Sequence, residues 1–335
     1  QTGQGNSEAM TAVDRMKLFG GNTGGRLTSS QDSDSPVGFS NSLKLACTTA
    51  DTSVASNEFL LLEQRIEGQN LQQLKYNQSS AVATTVSFYV KGNASAQYTF
   101  SLQYHLSGGT ARMFTKAFAV TTSWNRISIT IPGDTQASSG SDYGIADDNL
   151  TGMNVMFWIH GGTNFSSGTH QDTAWADRDY TTLLQDSQTS FFDSTSRTFF
   201  ITGLQFEIGQ NATEFEHEPF ERTLTKCQRY YQVLVDGGAD KAIGVGFYWN
   251  SGEVDYTHRF ATDMRASPTL EQVTGTDYYK VSSGNDSFNG FSAIQYVSTR
   301  SCNLYADSNV SGTAGYASDL RSGNAASFIA FKAEL

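Results

Sequence analysis

Trp175 stands among Asp172, Asp177, Arg178, Asp179 and Tyr180, inside a polar segment that runs from Gly161 to Ser196. Those residue types suit sugar binding. A flat ring lies against the C–H face of a pyranose while carboxylates and amides grip its hydroxyls. Tyr143, in a stretch rich in Gly, Ser and Asp, is a further candidate of the same kind. Each ring also has a structural reading. Trp175 would then plug one end of a β-sandwich, and Tyr143 and Tyr180 would be loop residues facing water.

The acids offer a second chemistry. Residues 134–193 hold nine acidic residues and a single base, Arg178. Within them Asp147 and Asp148 are candidate ligands for Ca²⁺, a cation that takes several carboxylate and carbonyl oxygens. No EF-hand loop accompanies them, so a solvated loop surface is the simpler account.

Covalent chemistry finds little support. There is no GxSxG elbow, and the five histidines (His105, His160, His170, His217, His258) show no HExxH spacing. His217, between Glu216 and Glu218, reads as a polar surface residue. Glycan hydrolysis needs two carboxylates facing each other across a cleft, and the sequence alone pairs none. Cys47, Cys227 and Cys302 are odd in number and far apart, which argues against a disulfide framework or a CxxC metal site. They read as small buried apolar groups.

Charge and hydropathy exclude two classes of partner. With 33 acidic against 22 basic residues the formal charge is −11, which repels a phosphate backbone and disfavours nucleic acid. No run of 18 apolar residues is present, so no membrane-spanning helix is expected. The first residues, Gln1-Thr2-Gly3-Gln4-Gly5-Asn6, have neither the basic stretch nor the apolar core of a secretory signal. Synthesis in a reducing cytosol is the expectation.

Sheets must position these residues. Charged residues are only 16% of the chain and Gly reaches 31 of 335, a balance that favours turns and strands over helices. Apolar residues alternate at Val86, Phe88, Val90; at Ile127, Ile129, Ile131; at Val155, Phe157, Ile159; and at Leu204, Phe206, Ile208. Each run predicts a half-buried strand ended by a turn, and their spacing predicts an antiparallel sandwich. Leu224, Cys227, Tyr230 or Tyr231, and Leu234 recur at helical spacing, so 219–236 is expected to form a short connecting helix. Beyond it, Ile243–Trp249 and Glu253–Phe260 flank Asn250-Ser251-Gly252 as a hairpin. There Tyr248, Trp249 and Tyr256 read as cross-strand packing, with a receptor or trimer surface as the alternative. The expected organisation is all-β: a jelly roll over 1–218, the helix, and a smaller β-sandwich over 237–335.

An ordered set of short motifs then carries a resemblance. Ile201-Thr202-Gly203-Leu204-Gln205-Phe206-Glu207-Ile208-Gly209 precedes Ala212-Thr213-Glu214-Phe215-Glu216 and Cys227-Gln228-Arg229-Tyr230-Tyr231-Gln232. Upstream lie Asp14-Arg15, Gly38-Phe39-Ser40-Asn41-Ser42-Leu43-Lys44, Gln64-Arg65-Ile66-Glu67-Gly68 and Trp124-Asn125-Arg126 with Ile131-Pro132-Gly133-Asp134. Downstream is Met264-Arg265-Ala266-Ser267-Pro268-Thr269. The set resembles a signature of bacteriophage virion proteins that reads ITGVQLEVG, ATPFE and LCQRYYQ. Met16 stands where that pattern has Trp, Glu214 where it has Pro, and Phe206 where it has Leu.

The resemblance implies a tail fibre, tail adhesin or capsid decoration protein whose first part is similar to the jelly roll of carbohydrate-binding modules. It implies a homotrimer made in the host cytoplasm and displayed on the virion. Its partners would be other virion proteins and a host-surface glycan, with no enzymatic step. A purely structural spacer and a glycan-degrading tailspike are the rival readings.

Overall fold

Val86, Phe88 and Val90 are fully buried in the core, and on the other face Thr85 and Ser87 are buried too, while Tyr89 and Lys91 are half-buried. Period-two spacing thus sets one face of this strand inward. The computed structural model describes residues 2–3, 8–13, 15–106, 111–136, 144–170, 172–282 and 286–335. The chain divides into two compact units, Gln1–His217 together with Leu335, and Glu218–Glu334.

In the first unit the strands are β1 (Thr2–Gly3), β2 (Glu8–Met10), β3 (Met16–Gly21), β4 (Arg26–Asp32), β5 (Ser42–Thr49), β6 (Phe59–Glu67) and β7 (Thr84–Gly92). They continue with β8 (Ala96–His105), β9 (Ala111–Val120), β10 (Asn125–Ile131), β11 (Thr151–Gly161), β12 (Ala176–Asp177) and β13 (Thr198–Ile208). One sheet has the order β1-β4-β5-β13-β7-β10 and the other β12-β9-β8-β11-β6-β3-β2. Neighbours run antiparallel, and the two sheets form a jelly roll.

The facing sides of the sheets share one core. Leu45, Phe88 and Phe199 from the first sheet meet Leu62, Phe100 and Phe157 from the second. The Phe88 ring lies 4.9 Å from Phe157 and 5.2 Å from Phe118, edge to face in both cases. Burial of each such side chain contributes roughly 1.5–3 kcal/mol.

β11 departs from the expected half-buried strand. Met153, Val155, Phe157 and Ile159 face the main core, and Met156 and Trp158 on the other face are buried as well. The reason is the segment that follows. Its Leu183 and Leu184 join Leu61, Met113, Met156 and Trp158 in a second small core, with Phe165 packed against it. Leu184 N–H donates to the Phe165 carbonyl at 2.8 Å and closes that cover.

Motif residues secure the end of the first unit. β13 pairs with β7 through an irregularity between Thr202 and Gln205, where Gly203 takes φ +62°. A Cβ there would stand 2.7 Å from the Phe39 ring. Phe39 in turn packs against Tyr89, Phe215 and His217 at 5.4, 4.9 and 5.2 Å. Glu216 N–H donates to Gln205 Oε1 at 2.8 Å, and Thr213 N–H donates to Glu207 Oε2 at 3.2 Å. Residues far apart in sequence thus tie 213–217 to the sandwich.

The second unit comprises α1 (Phe220–Gln228), β14 (Tyr231–Asp236), β15 (Ala242–Asn250), β16 (Glu253–Arg259), β17 (Thr269–Val273) and β18 (Tyr279–Val281). It ends with β19 (Asp286–Phe288), β20 (Ala293–Gln295), β21 (Ser301–Ala306), β22 (Ala317–Ser322) and β23 (Phe328–Lys332). A three-stranded sheet, β14-β23-β17, and a seven-stranded sheet, β19-β18-β22-β15-β16-β21-β20, enclose its core.

The expected helix over 219–236 is corrected here. It stops at Gln228, and 231–236 is a strand antiparallel to β23. A register shift between Val233 and Val235 turns both Leu234 and Val235 toward the core while Val233 stays exposed. That extra residue disturbs the two-residue period and imitates helical spacing. Val233 and Val235 are β-branched and suit the pleated backbone. Cys47 and Cys302 are buried and Cys227 is half-buried.

Candidate functional site

The outer face of the sheet that contains β11 carries an open groove of about 520 Å³, a size typical of small-ligand sites. Strand register builds its floor. Phe19, Leu61 and Trp158 lie abreast on β3, β6 and β11. Two residues along each strand, Glu63 is opposite Met156, and two further, Arg65, Asn154 and Gln103 form a polar row. One end of the floor is therefore aromatic and the other is polar. Phe165, Arg178 and Tyr180, from the segment after β11, complete the walls.

Aromatic surface is available at the mouth. Phe19 is 39% and Tyr180 54% exposed, whereas Trp158 is buried and fixed by donation from its indole N–H to Ser101 Oγ at 3.1 Å. Phe59 supports Phe19 at 5.2 Å and Phe165 at 5.6 Å. The Arg178 guanidinium sits 5.0 Å from the centre of the Tyr180 ring, a cation–π contact that holds the rim.

The polar row is ordered by its own hydrogen bonds. Arg65 pairs with Glu63 at 2.9 Å, and Asn154 Nδ2 donates to the other Glu63 oxygen. Gln103 Nε2 approaches His105 Nε2 at 3.1 Å. Burial, and then the Arg178 charge, holds His105 below the ordinary histidine range, against a hydrogen bond with Asn154 that raises it. Asn154 is 9% exposed, and its side chain is also hydrogen-bonded to His105.

The candidates from the sequence are dispersed. Tyr180 lines the groove. Asp179 accepts from Thr181 N–H at 2.9 Å and caps the short turn that carries Tyr180. Trp175 lies outside the groove, its ring 5.3 Å from Tyr76 and 5.2 Å from Tyr104, with its N–H on the Pro132 carbonyl at 2.6 Å. Asp172 pairs with Lys116 at 2.9 Å, which keeps its carboxyl below the ordinary range, and Asp177 pairs with Arg112 at 2.7 Å. Tyr143 lies outside the described residues.

Asp147 is exposed, and Asp148 Oδ1 accepts from Leu150 N–H at 3.0 Å as a turn cap. Among the described residues no three His, Cys, Asp or Glu side chains come together as metal ligands. Phe19, Glu63, Gln103 and Asn154 were not singled out by the sequence reading. For Asn154 the signal was the other half of the β11 alternation, in which Asn154, Met156, Trp158 and His160 interleave with the core residues; Phe19, Glu63 and Gln103 lie on other strands.

No family model matches the chain, and no curated protein sequence matches it. Solved structures are similar to it at low identity. The family 11 carbohydrate-binding module of the cellulase Lic26A-Cel5E of Clostridium thermocellum is 12% identical, covering 63% of this chain and 99% of its own, with a TM-score of 0.33. The CBM22-1 xylan-binding domain of Paenibacillus barcinonensis Xyn10C is 10% identical over 63% and 99%, with a TM-score of 0.29. The enzymatically active domain of tailspike protein 4 of bacteriophage CBA120 is 10% identical over 58% of this chain and 19% of that one, with a TM-score of 0.31. Likeness this distant assigns no ligand.

Proposed function

We propose that the groove on the outer face of the first unit binds a glycan without transforming it. The observation that carries this reading is the lining itself. Exposed Phe19 and Tyr180 rings stand beside a row of buried amide and carboxylate groups, Gln103, Asn154 and Glu63. Sugar C–H faces match the rings, and hydroxyls match the polar end of the floor.

Glu63 is the sole carboxylate among the described lining residues, and it is already paired with Arg65. Hydrolysis of a glycoside calls for a second, opposed carboxyl group, so binding is favoured over cleavage. The ordered phage-like motifs support a place on a virus particle, as an adhesin or decoration that contacts the host surface. A glycan array with the full chain tests the binding reading. Reproducible hits lost in a Phe19→Ala, Tyr180→Ala double variant support it. An empty array, or hits indifferent to that variant, would assign the unit to a spacer role. Release of reducing sugar from a bound polysaccharide would assign it to the hydrolases.

A further inference from the structure

The second unit has a groove of its own, of about 340 Å³, on the outer face of its seven-stranded sheet. Register again makes it. Phe247 on β15 lies opposite Asp255 on β16, and Thr257 lies opposite Asn303 on β21, which lies opposite Gln295 on β20. The opposite side of the same strands is core: Val254 and Leu304 are fully buried. Aromatic residues crown the outer side. Trp249 is 63% and Tyr296 83% exposed, and Tyr296 is held at φ +49°, a backbone region unusual for such a residue.

At the floor, a chain of hydrogen bonds ends on an unsatisfied atom. Thr257 Oγ1 donates to Asn303 Oδ1 at 2.9 Å, and Asn303 Nδ2 donates to Asp255 Oδ2 at 3.0 Å. Asp255 is only 6% exposed, and its Oδ1 has no hydrogen-bond partner. Glu253 lines the same groove, and among the described residues no Lys, Arg or His does; the nearest base along β16 on this face, Arg259, is not part of the lining. Two carboxylates without a cation, one of them buried, leave negative charge that a ligand can neutralise. Exposed indole and phenol faces attract cations. Two carboxylates alone make a poor Ca²⁺ cage, which favours an organic cation.

We propose that this face of the second unit is a binding site for an organic ammonium that also carries hydroxyl groups, the chemistry of a de-N-acetylated amino sugar. The ammonium stands against Glu253, above the Asp255 carboxyl buried in the floor. The ring face of the ligand lies on Trp249, and Thr257, Asn303 and Gln295 meet its hydroxyls. Burial, followed by the charge of Glu253, lifts the Asp255 carboxyl above its ordinary range, and a cation placed beside it would lower it again. The site is independent of the groove in the first unit.

Calorimetric titration of the full chain with a β-1,4 glucosamine tetramer, and with its N-acetylated counterpart, tests the proposal. The amine form is expected to bind at least tenfold more tightly. Asp255→Asn and Trp249→Ala should each weaken it tenfold or more with melting unchanged, and Tyr180→Ala should leave it intact. If Asp255→Asn does not fold, Glu253→Gln takes its place with the same expectation. Equal binding of both tetramers overturns the proposal. So does amine binding unchanged in the variants, which general attraction to an acidic chain would give. Self-association in sedimentation that Trp249→Ala abolishes would instead assign this face to a second copy of the chain.

Discussion

Arg112 grips Asp134 at two points, Nε to Oδ2 at 2.7 Å and Nη2 to Oδ1 at 3.2 Å, with both side chains almost wholly buried. Tyr104 adds a third bond, its hydroxyl donating to Asp134 Oδ2 at 2.7 Å. Arg112 Nη1 reaches outward to Asp177, whose side chain is 72% exposed. Deleting the buried cation by Arg112→Met leaves Asp134 uncompensated and should lower stability by about 3–5 kcal/mol. Asp177→Asn removes only the exposed partner and should cost no more than about 1 kcal/mol. Urea unfolding of the two variants checks the contrast, and equal losses would refute the assignment of Asp134 as the principal partner.

Acid should weaken the fold in two stages. His105, His160, His170 and His258 are all held below their ordinary value of 6.5, burial being the main cause in each. His160 is the most enclosed, between Ser190 Oγ at 2.8 Å and Glu58 Oε2 at 3.2 Å. Groups protonated less readily in the folded chain give stability that is complete above the unfolded value and is lost as pH falls below it. Melting temperature should therefore hold from pH 8 to 7 and fall between pH 6.5 and 5. Asp32, held low by the Asp34 N–H and Lys44, and Asp34, held low by Lys91 and the Trp124 N–H, extend the loss below 3.8. A melting temperature flat from pH 7 to 5 would count against the histidine stage.

Gly203→Ala should destabilise the first unit by about 1–2 kcal/mol, the cost of left-handed backbone for an L-residue. The added methyl also meets the Phe39 ring. Because Phe39 holds Phe215 and His217, limited proteolysis should find new cleavage within 209–217. An unchanged digestion pattern would show that the aromatic cluster is dispensable.

Trp175 and Tyr180 should separate cleanly. Trp175→Ala removes a ring packed against Tyr76, Tyr104 and Phe114, with an expected loss of about 3 kcal/mol. Tyr180→Ala removes an exposed ring at the groove mouth. Melting should barely change while affinity for a glycan found on the array falls about tenfold, or ~1.4 kcal/mol. Calorimetry beside thermal melts decides between these outcomes.

The alternation at Val86–Val90 and Ile127–Ile131 made the strands legible, since one buried face is all that period-two spacing needs. The groove was not legible for a physical reason. Phe19, Glu63, Gln103, Asn154 and Tyr180 come from four strands and a following segment, and only cross-strand register brings them abreast. Trp175 attracted notice because its neighbours in sequence are polar, yet its neighbours in space are Tyr76 and Tyr104. The helix expected through 236 failed at Val233–Val235, where an extra residue in the strand mimics a helical repeat.

β11 serves the interior with one set of alternate residues and the groove floor with the other. A single-codon deletion inside 151–161 would exchange the two sets on one side of the gap and drive Asn154 or His160 into the hydrocarbon interior. Point substitution keeps the register and costs only the local contact, a hydrogen bond to Glu63 at 154 or packing against Leu61 and Trp158 at 156. Selection on such a sequence would freeze the reading length of this stretch while letting recognition drift one position at a time.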